Sequence, residues 1–305
     1  MLTSFQAPIL QREPKNLYGR NRVKVYPPAK INIYLNIIGE YSNGFHKIES
    51  IINRINLFDE ITIERAGGSS INFSCNNKSL DNDNNLCVKA LRFLRRRFEL
   101  GGLKIHLNKG IPIGAGLGGG SSDAAYTLLG VDKLLGLGLS KRELFNIGSH
   151  LGSDVNFFIA RSSWAYIGRK GEDVEPLDID AKLKYLLVYP NISTSTKLVY
   201  EGAGLNLTKF LDNVNILKYA LRKRDYLLVE ELSFNCLEKS ALCIYKGLES
   251  VRTLFRRGGF FCRLSGSGST FFTILGFPPY KRINIDILVN KFREKGFFVF
   301  AAQTY

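Results

Sequence analysis

From Pro112 to Ala125 the chain reads Pro-Ile-Gly-Ala-Gly-Leu-Gly-Gly-Gly-Ser-Ser-Asp-Ala-Ala. No other segment constrains the fold as strongly. Backbone without side chains reaches conformations closed to other residues and lets a ligand approach closely. The flanks give this loop its setting: residues 103–107 alternate like a strand, and a helix is expected from about Ser121 to Leu135. A glycine loop that opens a helix directs unpaired N–H groups and the positive end of the helix dipole into one concavity suited to phosphate. The candidate phosphate site is Pro112, Gly114, Gly116, Leu117, Gly118, Gly119, Gly120, Ser121 and Ser122, with the two hydroxyls as further donors.

Two familiar loops fit poorly. Gly114-x-Gly116-x-x-Gly119 matches the dinucleotide fingerprint, but the preceding segments read as hairpins and no later strand ends in an acid at the expected place. A P-loop needs a Gly-Lys pair, and the chain has none.

Elsewhere, Ile31, Ile33, Leu35 and Ile37 alternate with Asn32, Tyr34 and Asn36. That period predicts a half-buried strand with Lys30 and Asn32 on its polar face. Ser42-Asn43-Gly44 reads as a hairpin turn, and the next strand starts at Phe45 and His46. Strands are expected at 61–64 and 71–75 and a helix at 86–98, with Leu86, Ala90, Leu94 and Phe98 four apart. Ser140 and Glu143 form a capping box for a helix with Leu144, Ile147 and Leu151 as its stripe, ending at Gly152. Residues 155–159 and 164–167 read as strands. Polar residues 169–180 are the candidate domain junction. Beyond it come a strand (183–189), helices (214–222, 226–237, 244–255) and a strand (260–264). A Gly/Ser turn, a strand (271–275), a helix (285–295) and a strand (297–301) follow. Without the extra helices this is β-α-β-β-α-β, the split βαβ pattern.

The 305 residues, 45% hydrophobic and 23% charged, suit a soluble two-domain protein. No stretch approaches the ~20 apolar residues of a membrane span, and residues 1–22 lack the apolar region of a secretory signal. They read as a flexible extension ahead of domains at 23–175 and 176–305. The five cysteines form no C-x-x-C pair, which argues against zinc and for reduced core thiols in the cytoplasm. The net charge of +15 favours anionic partners, although Arg92, Arg95, Arg96 and Arg97 read first as an exposed helix face.

Pro112, Gly116, Leu117, Gly118, Ser121 and Ser122 match P-x-x-x-G-L-G-x-x-S-S at each defined position, so that the chain resembles the GHMP kinases, small-molecule kinases that use ATP. Leu-Gly-Ser-Asp-Val at 151–155 with Phe157 and Phe158, and Leu-Ser-Gly-Ser-Gly-Ser-Thr at 264–270, extend the resemblance. Pro-Ala-Lys-Ile-Asn-Ile-Tyr-Leu at 28–35, with Gly39 and Asn-Gly-Phe-His at 43–46, resembles the branch whose substrate is a cytidine diphosphate derivative.

The resemblance implies an α+β fold of two domains, an N-terminal ribosomal-protein-like α/β domain and a C-terminal ferredoxin-like one. It implies ATP and Mg²⁺ as cofactors. Asp154 would be the general base and Lys30 its charged neighbour. His46 would read the cytosine edge between the rings of Phe45 and Tyr200. Asn32 and Thr196 would touch the acceptor, and Gly266, Ser267 and Gly268 would close a second backbone loop on the cleft. Asn85 would lie near the adenosine or merely cap a loop. Taken singly, Lys30 reads as a surface lysine at a strand edge and Asp154 as a turn or helix-terminal aspartate. Many members carry Tyr at position 45 and proline at 156. Asn156 therefore predicts a freer backbone after Asp154. The implied partners are small molecules, with no nucleic acid, no membrane and at most a weak homodimer. The rival readings are another acceptor of the same family (homoserine, mevalonate or a sugar) and, from the charge, an RNA-binding module.

Overall fold

The computed structural model describes residues 15–42, 44–203, 213–277 and 285–305. Residues 1–14 of the expected extension and Asn43 of the expected turn lie outside the described residues.

Three sheets organise the described residues. The first takes β1 (Leu17–Tyr18), β2 (Arg22–Val25), β5 (Glu60–Ala66), β6 (Ile71–Cys75) and β7 (Gly102–Asn108), in the order β1-β2-β5-β7-β6. Leu17 and Tyr18 pair with Lys24 and Val23, so the chain joins the sheet five residues before the extension was expected to end. Val23, Val25, Ile61, Ile63, Leu103, Ile105 and Leu107 point one face of this sheet at α1 (Leu86–Arg95) and α2 (Gly119–Leu135), which bury Ala90, Leu91, Leu94, Ala124, Leu128 and Val131 against them. Arg92 and Arg95 on α1 and Arg97 just beyond it engage Asp83, the Ser69 carbonyl and Glu143, while Arg96 lies over the Phe93 ring. They form a structural face and not a free cationic patch.

The second sheet has the order β11-β3-β4-β8-β9 and combines β3 (Pro28–Glu40), β4 (His46–Phe58), β8 (Trp164–Gly168), β9 (Asp173–Pro176) and β11 (Phe234–Asn235). β3 is buried on both faces from Pro28 to Ile37, not half-buried. Its apolar side chains join the core, while Lys30 and Asn32 line a cleft. β9 straddles the expected cut at 175/176, and β11 comes from the C-terminal half, so the two halves are interleaved.

The third sheet, β12-β13-β10-β14, is antiparallel throughout and uses β10 (Lys184–Tyr189), β12 (Arg263–Leu264), β13 (Phe271–Leu275) and β14 (Phe298–Gln303). In chain order that is second, third, first, fourth, the arrangement of a split βαβ unit. Around it pack α6 (Asn213–Lys223), α7 (Tyr226–Leu232), α8 (Glu238–Ile244), α9 (Leu248–Arg257) and α10 (Ile285–Glu294). The third sheet and β3 share one core, which includes Ile31, Ile33, Leu186, Leu187, Phe271 and Phe272.

Several expectations need correction. Residues 155–159 are not a strand but α4 (Val155–Ala160), which with α3 (Lys141–Leu151) packs on α2. The run Val-Asn-Phe-Phe-Ile is buried at every position, and a short run without a polar face cannot separate strand from helix. The expected helices 226–237 and 244–255 are broken by β11 and by the gap between α8 and α9, and α5 (Thr196–Ala203) was not foreseen. Cys75, Cys87 and Cys262 are buried as expected, but Cys243 is exposed. No described helix is long and apolar enough to cross a membrane.

The capping box at α3 forms as read: Ser140 Oγ accepts from Glu143 N, and the Glu143 carboxylate accepts from Ser140 N at 2.9 Å. The Ser140 backbone N–H and hydroxyl, with Arg97 added, pull the Glu143 carboxyl down to about 2. A lowered carboxylate contributes stability above its unfolded value and loses it as pH falls towards 2. Glu143→Gln should therefore flatten the fall in urea midpoint between pH 5 and pH 2.5. Ser140→Ala should cost about 1 kcal/mol at neutral pH, read from the same denaturation curves.

Candidate active site

A cleft of about 960 Å³ lies between the second sheet, the glycine loop and α5. β3 brings Lys30 and Asn32 to it. Lys30 is 4% exposed on an inner strand of its sheet, so it is not a surface lysine at an edge. Its ammonium donates to Asn32 Oδ1 at 2.6 Å and lies 3.2 Å from Asp154 Oδ2. Asn32 in turn donates to Ser50 Oγ at 2.9 Å, which fixes its amide orientation.

Asp154 stands at the N-cap of α4, where aspartate ordinarily accepts from the first helical N–H groups. Here it makes no side-chain cap bond. One carboxylate oxygen goes to Lys30 instead, and the side chain remains about 30% exposed towards the cleft. The side chain of the neighbouring Asn156 is held: its amide donates to Ser149 Oγ at 2.9 Å and to the Glu172 carbonyl.

The glycine loop lines the same cleft from Pro112 through Ser121. α2 begins at Gly119, with Gly118 at its N-cap in the left-handed region and no side chain capping it, so its first N–H groups stay available to a ligand. Glycine is required at two points by contact as well as by φ. A Cβ on Gly118 would lie 2.9 Å from Lys30 Cγ, and one on Gly116 would lie 2.0 Å from the Ser265 carbonyl oxygen. Ser121 lines the cleft, whereas Ser122 is fully buried with its hydroxyl unpartnered.

The turn at Gly266, Ser267 and Gly268 closes on this loop. Ser265 Oγ donates to the Gly116 carbonyl at 2.9 Å, and Thr270 N donates to the Ala115 carbonyl at 3.1 Å. Thr196 Oγ1 lies 2.9 Å from Ser267 Oγ, joining α5 to the turn. Asn85 lines the cleft but is committed as the N-cap of α1: its Oδ1 accepts from Cys87 N and its amide donates to the Leu80 carbonyl, both at 2.9 Å.

Also lining the cleft, His46 and Tyr200 stack, with ring centroids 5.5 Å apart and planes 22° apart. His46 Nδ1 is buried without a partner. Burial raises the Tyr200 hydroxyl well above its ordinary value, so Tyr200 stays neutral. Phe45 is 61% exposed at the rim, with the Lys170 ammonium 5.0 Å from its ring centroid.

The sequence reading missed a buried charge cluster beneath the loop. Lys109 Nζ, 7% exposed, pairs with Asp59 and lies 2.7 Å from Asp123 Oδ2. Asp59 Oδ1 also accepts from Gly110 N at 2.7 Å and Ile111 N at 2.8 Å. Burial pushes the Asp123 carboxyl up, against the pull of Lys109. The signal was present in the sequence as single charged residues flanking the glycines, but only the fold brings Asp59 to them. Lys109→Met should strand two buried carboxylates and destabilise the protein by roughly 3–5 kcal/mol in chemical denaturation.

Residues 85–161 match the GHMP kinases N terminal domain, and residues 217–281 match the GHMP kinases C terminal domain. A 4-diphosphocytidyl-2-C-methyl-D-erythritol kinase of Lachnospira eligens is 32% identical, over 90% of this chain and 94% of its own length. The enzyme of that name from Caldanaerobacter subterraneus subsp. tengcongensis is 34% identical, over 92% and 95%. A crystal structure of a 4-(cytidine 5'-diphospho)-2C-methyl-D-erythritol kinase superposes with a TM-score of 0.76 at 29% identity, covering 92% of this chain and 98% of that one. A homoserine kinase from Cytophaga hutchinsonii shares the fold, with a TM-score of 0.69 at 17% identity and coverage of 95% and 97%. With relatives of this similarity over nearly their whole length, and the glycine loop, Lys30 and Asp154 gathered in one cleft, the chain belongs to the GHMP kinase family, in the group formed by the 4-diphosphocytidyl-2-C-methyl-D-erythritol kinases.

Proposed function

We propose that this protein transfers the γ-phosphoryl group of ATP to the 2-hydroxyl of 4-diphosphocytidyl-2-C-methyl-D-erythritol, a step of the non-mevalonate route to isoprenoid precursors. The observation that carries this reading is Asp154: a carboxylate at a helix N-terminus that leaves the helix uncapped and turns to a buried lysine at the cleft.

The uncapped start of α2 and the loop amides would hold the triphosphate, with Ser121 as a further donor. ATP supplies the phosphoryl group, and Mg²⁺ bound to it would offset the phosphate charge. The described residues offer no cluster of three or more metal-binding side chains, so the ion fits best as a passenger of the nucleotide with several waters retained. Asp154 accepts the proton of the attacking hydroxyl. Lys30 holds that carboxylate in place and places positive charge where the oxygen becomes nucleophilic. Asn32 and Thr196 orient the acceptor. His46, with its free Nδ1, reads the cytosine edge, and Tyr200 and Phe45 offer ring faces. For the base to stack on Tyr200, the His46 ring now lying on it must swing aside, or the base must take the other face.

Asp154→Asn keeps the shape and removes the base. It should lower kcat by about 10²–10⁴-fold while the affinity for a non-hydrolysable ATP analogue stays within about twofold in calorimetry. Substantial turnover would take Asp154 out of this role. The clamp is tested separately: CDP should compete with the acceptor and not with ATP in initial-rate measurements. Absence of such competition, with activity on homoserine, mevalonate or a sugar instead, would favour another acceptor of the family.

A further inference from the structure

A second cavity, of about 520 Å³, shares no lining residue with the nucleotide cleft. β11, α8 and α9 form its walls. One side is apolar, with Phe234, Leu242 and Cys243. The other carries Lys239, Arg252 and Arg263 with the acids Glu238 and Glu249.

The two arginines differ in how they are satisfied. Arg252 is held by Glu249 at 2.8 Å and lies 3.8 Å from Glu238. Arg263 has no carboxylate within ion-pair distance among the described residues. Its Nε donates to the Ser233 carbonyl at 2.8 Å, one terminal nitrogen donates to the Cys262 carbonyl at 3.2 Å, and its plane lies 3.7 Å over the Phe261 ring. Burial works against its charge, and Glu238 offsets only part of that cost. A half-buried guanidinium with no carboxylate in direct contact among the described residues, facing an open cavity, is a site an anionic oxygen would satisfy.

The cavity wall is also wired to the active site. Asn235 donates through Nδ2 to the carbonyls of Leu264 and Gly266, both at 2.7 Å, and Glu238 accepts from Leu264 N at 3.0 Å. Leu264 begins the turn that closes on Gly116. An anion that draws Arg263 and repels Glu238 therefore pulls on the backbone bracing the phosphate loop.

We propose that this cavity binds a small organic anion, a phosphate or carboxylate on a short apolar chain, and that its occupation weakens ATP binding at the cleft. The acids already present exclude large polyanions, and the apolar wall gives the short chain its place. The inference is independent of which acceptor the enzyme phosphorylates.

The test titrates butyl phosphate, pentanoate and inorganic phosphate into the full-length protein by calorimetry. The cleft is first saturated with CDP and a large excess of a non-hydrolysable ATP analogue, so that the anion can enter only the second cavity, with an affinity lowered by the same ~3-fold factor by which it weakens ATP. Two variants accompany the wild type. Arg263→Gln removes the charge, and Cys243→Trp, at an exposed position, fills the volume and leaves the charges intact. We expect butyl phosphate or pentanoate, whichever head group the site prefers, to bind at least ~10-fold more tightly than inorganic phosphate. In initial rates the same compound should raise the KM for ATP by ~3-fold or more with kcat little changed. Both variants should lose the binding and the KM response. No heat up to ~10 mM, binding that survives both variants, or binding that leaves the KM for ATP unmoved would each overturn the proposal. If Arg263→Gln does not fold, Cys243→Trp decides alone.

Discussion

The buried ammonium of Lys30 is the constraint around which the rest of the site is arranged. A charge removed from water is tolerated only where partners compensate it on several sides. Asn32 and Asp154 do so at 2.6 and 3.2 Å. The first comes from the same strand, the second from the start of a helix more than a hundred residues later. The aliphatic stem of the lysine lies against Gly118, and its backbone N–H donates to the Leu117 carbonyl. One residue thus sets the distance between the sheet, Asp154 and the glycine loop. Side chain and main chain act together, so the three parts cannot drift independently.

The glycine loop is braced from two directions. From the C-terminal half, Ser265 and Thr270 bond the carbonyls of Gly116 and Ala115, while Thr194 bonds those of Gly114 and Gly268. From below, Lys109 ties Asp59 to the first turn of α2. A loop with five glycines would otherwise sample many conformations and lose much entropy on binding a ligand. Bracing through its carbonyls preorganises the loop and leaves its N–H groups unspent.

Much of this was readable in the sequence, and what was missed has physical reasons. The glycine run, the capping box at Ser140 and the β-α-β-β-α-β order depend on local backbone chemistry and appeared as read. The strand predicted at 155–159 became α4, because a segment buried on every side shows no period to distinguish helix from strand. β11 is two residues long and exists only because β3 offers an open edge, a tertiary fact with no local signature. Of the site residues, nearly all line one cleft, since motif positions are selected together for one ligand. Asn85 turned out to be committed to capping, Ser122 is buried away from the cleft, and His46 lies flat on Tyr200. Lys109, Asp59 and Asp123 escaped notice because each, taken alone, looks like an ordinary surface charge.

The parallel pairing of Phe234 and Asn235 with Tyr34 and Leu35 also bears on how the chain comes to be folded. Until β11 arrives, the outer edge of β3 presents unpaired amides along a strand rich in isoleucine, the kind of template on which chains stick to one another. The N-terminal half leaves the ribosome first and must wait some sixty residues for the segment that seals it. Expressed by itself, that half would carry a sticky flank and an unbraced glycine loop. Gene fragments cut between the two halves are therefore poor units for expression, and recombination between relatives at that point would join edges that never evolved to meet.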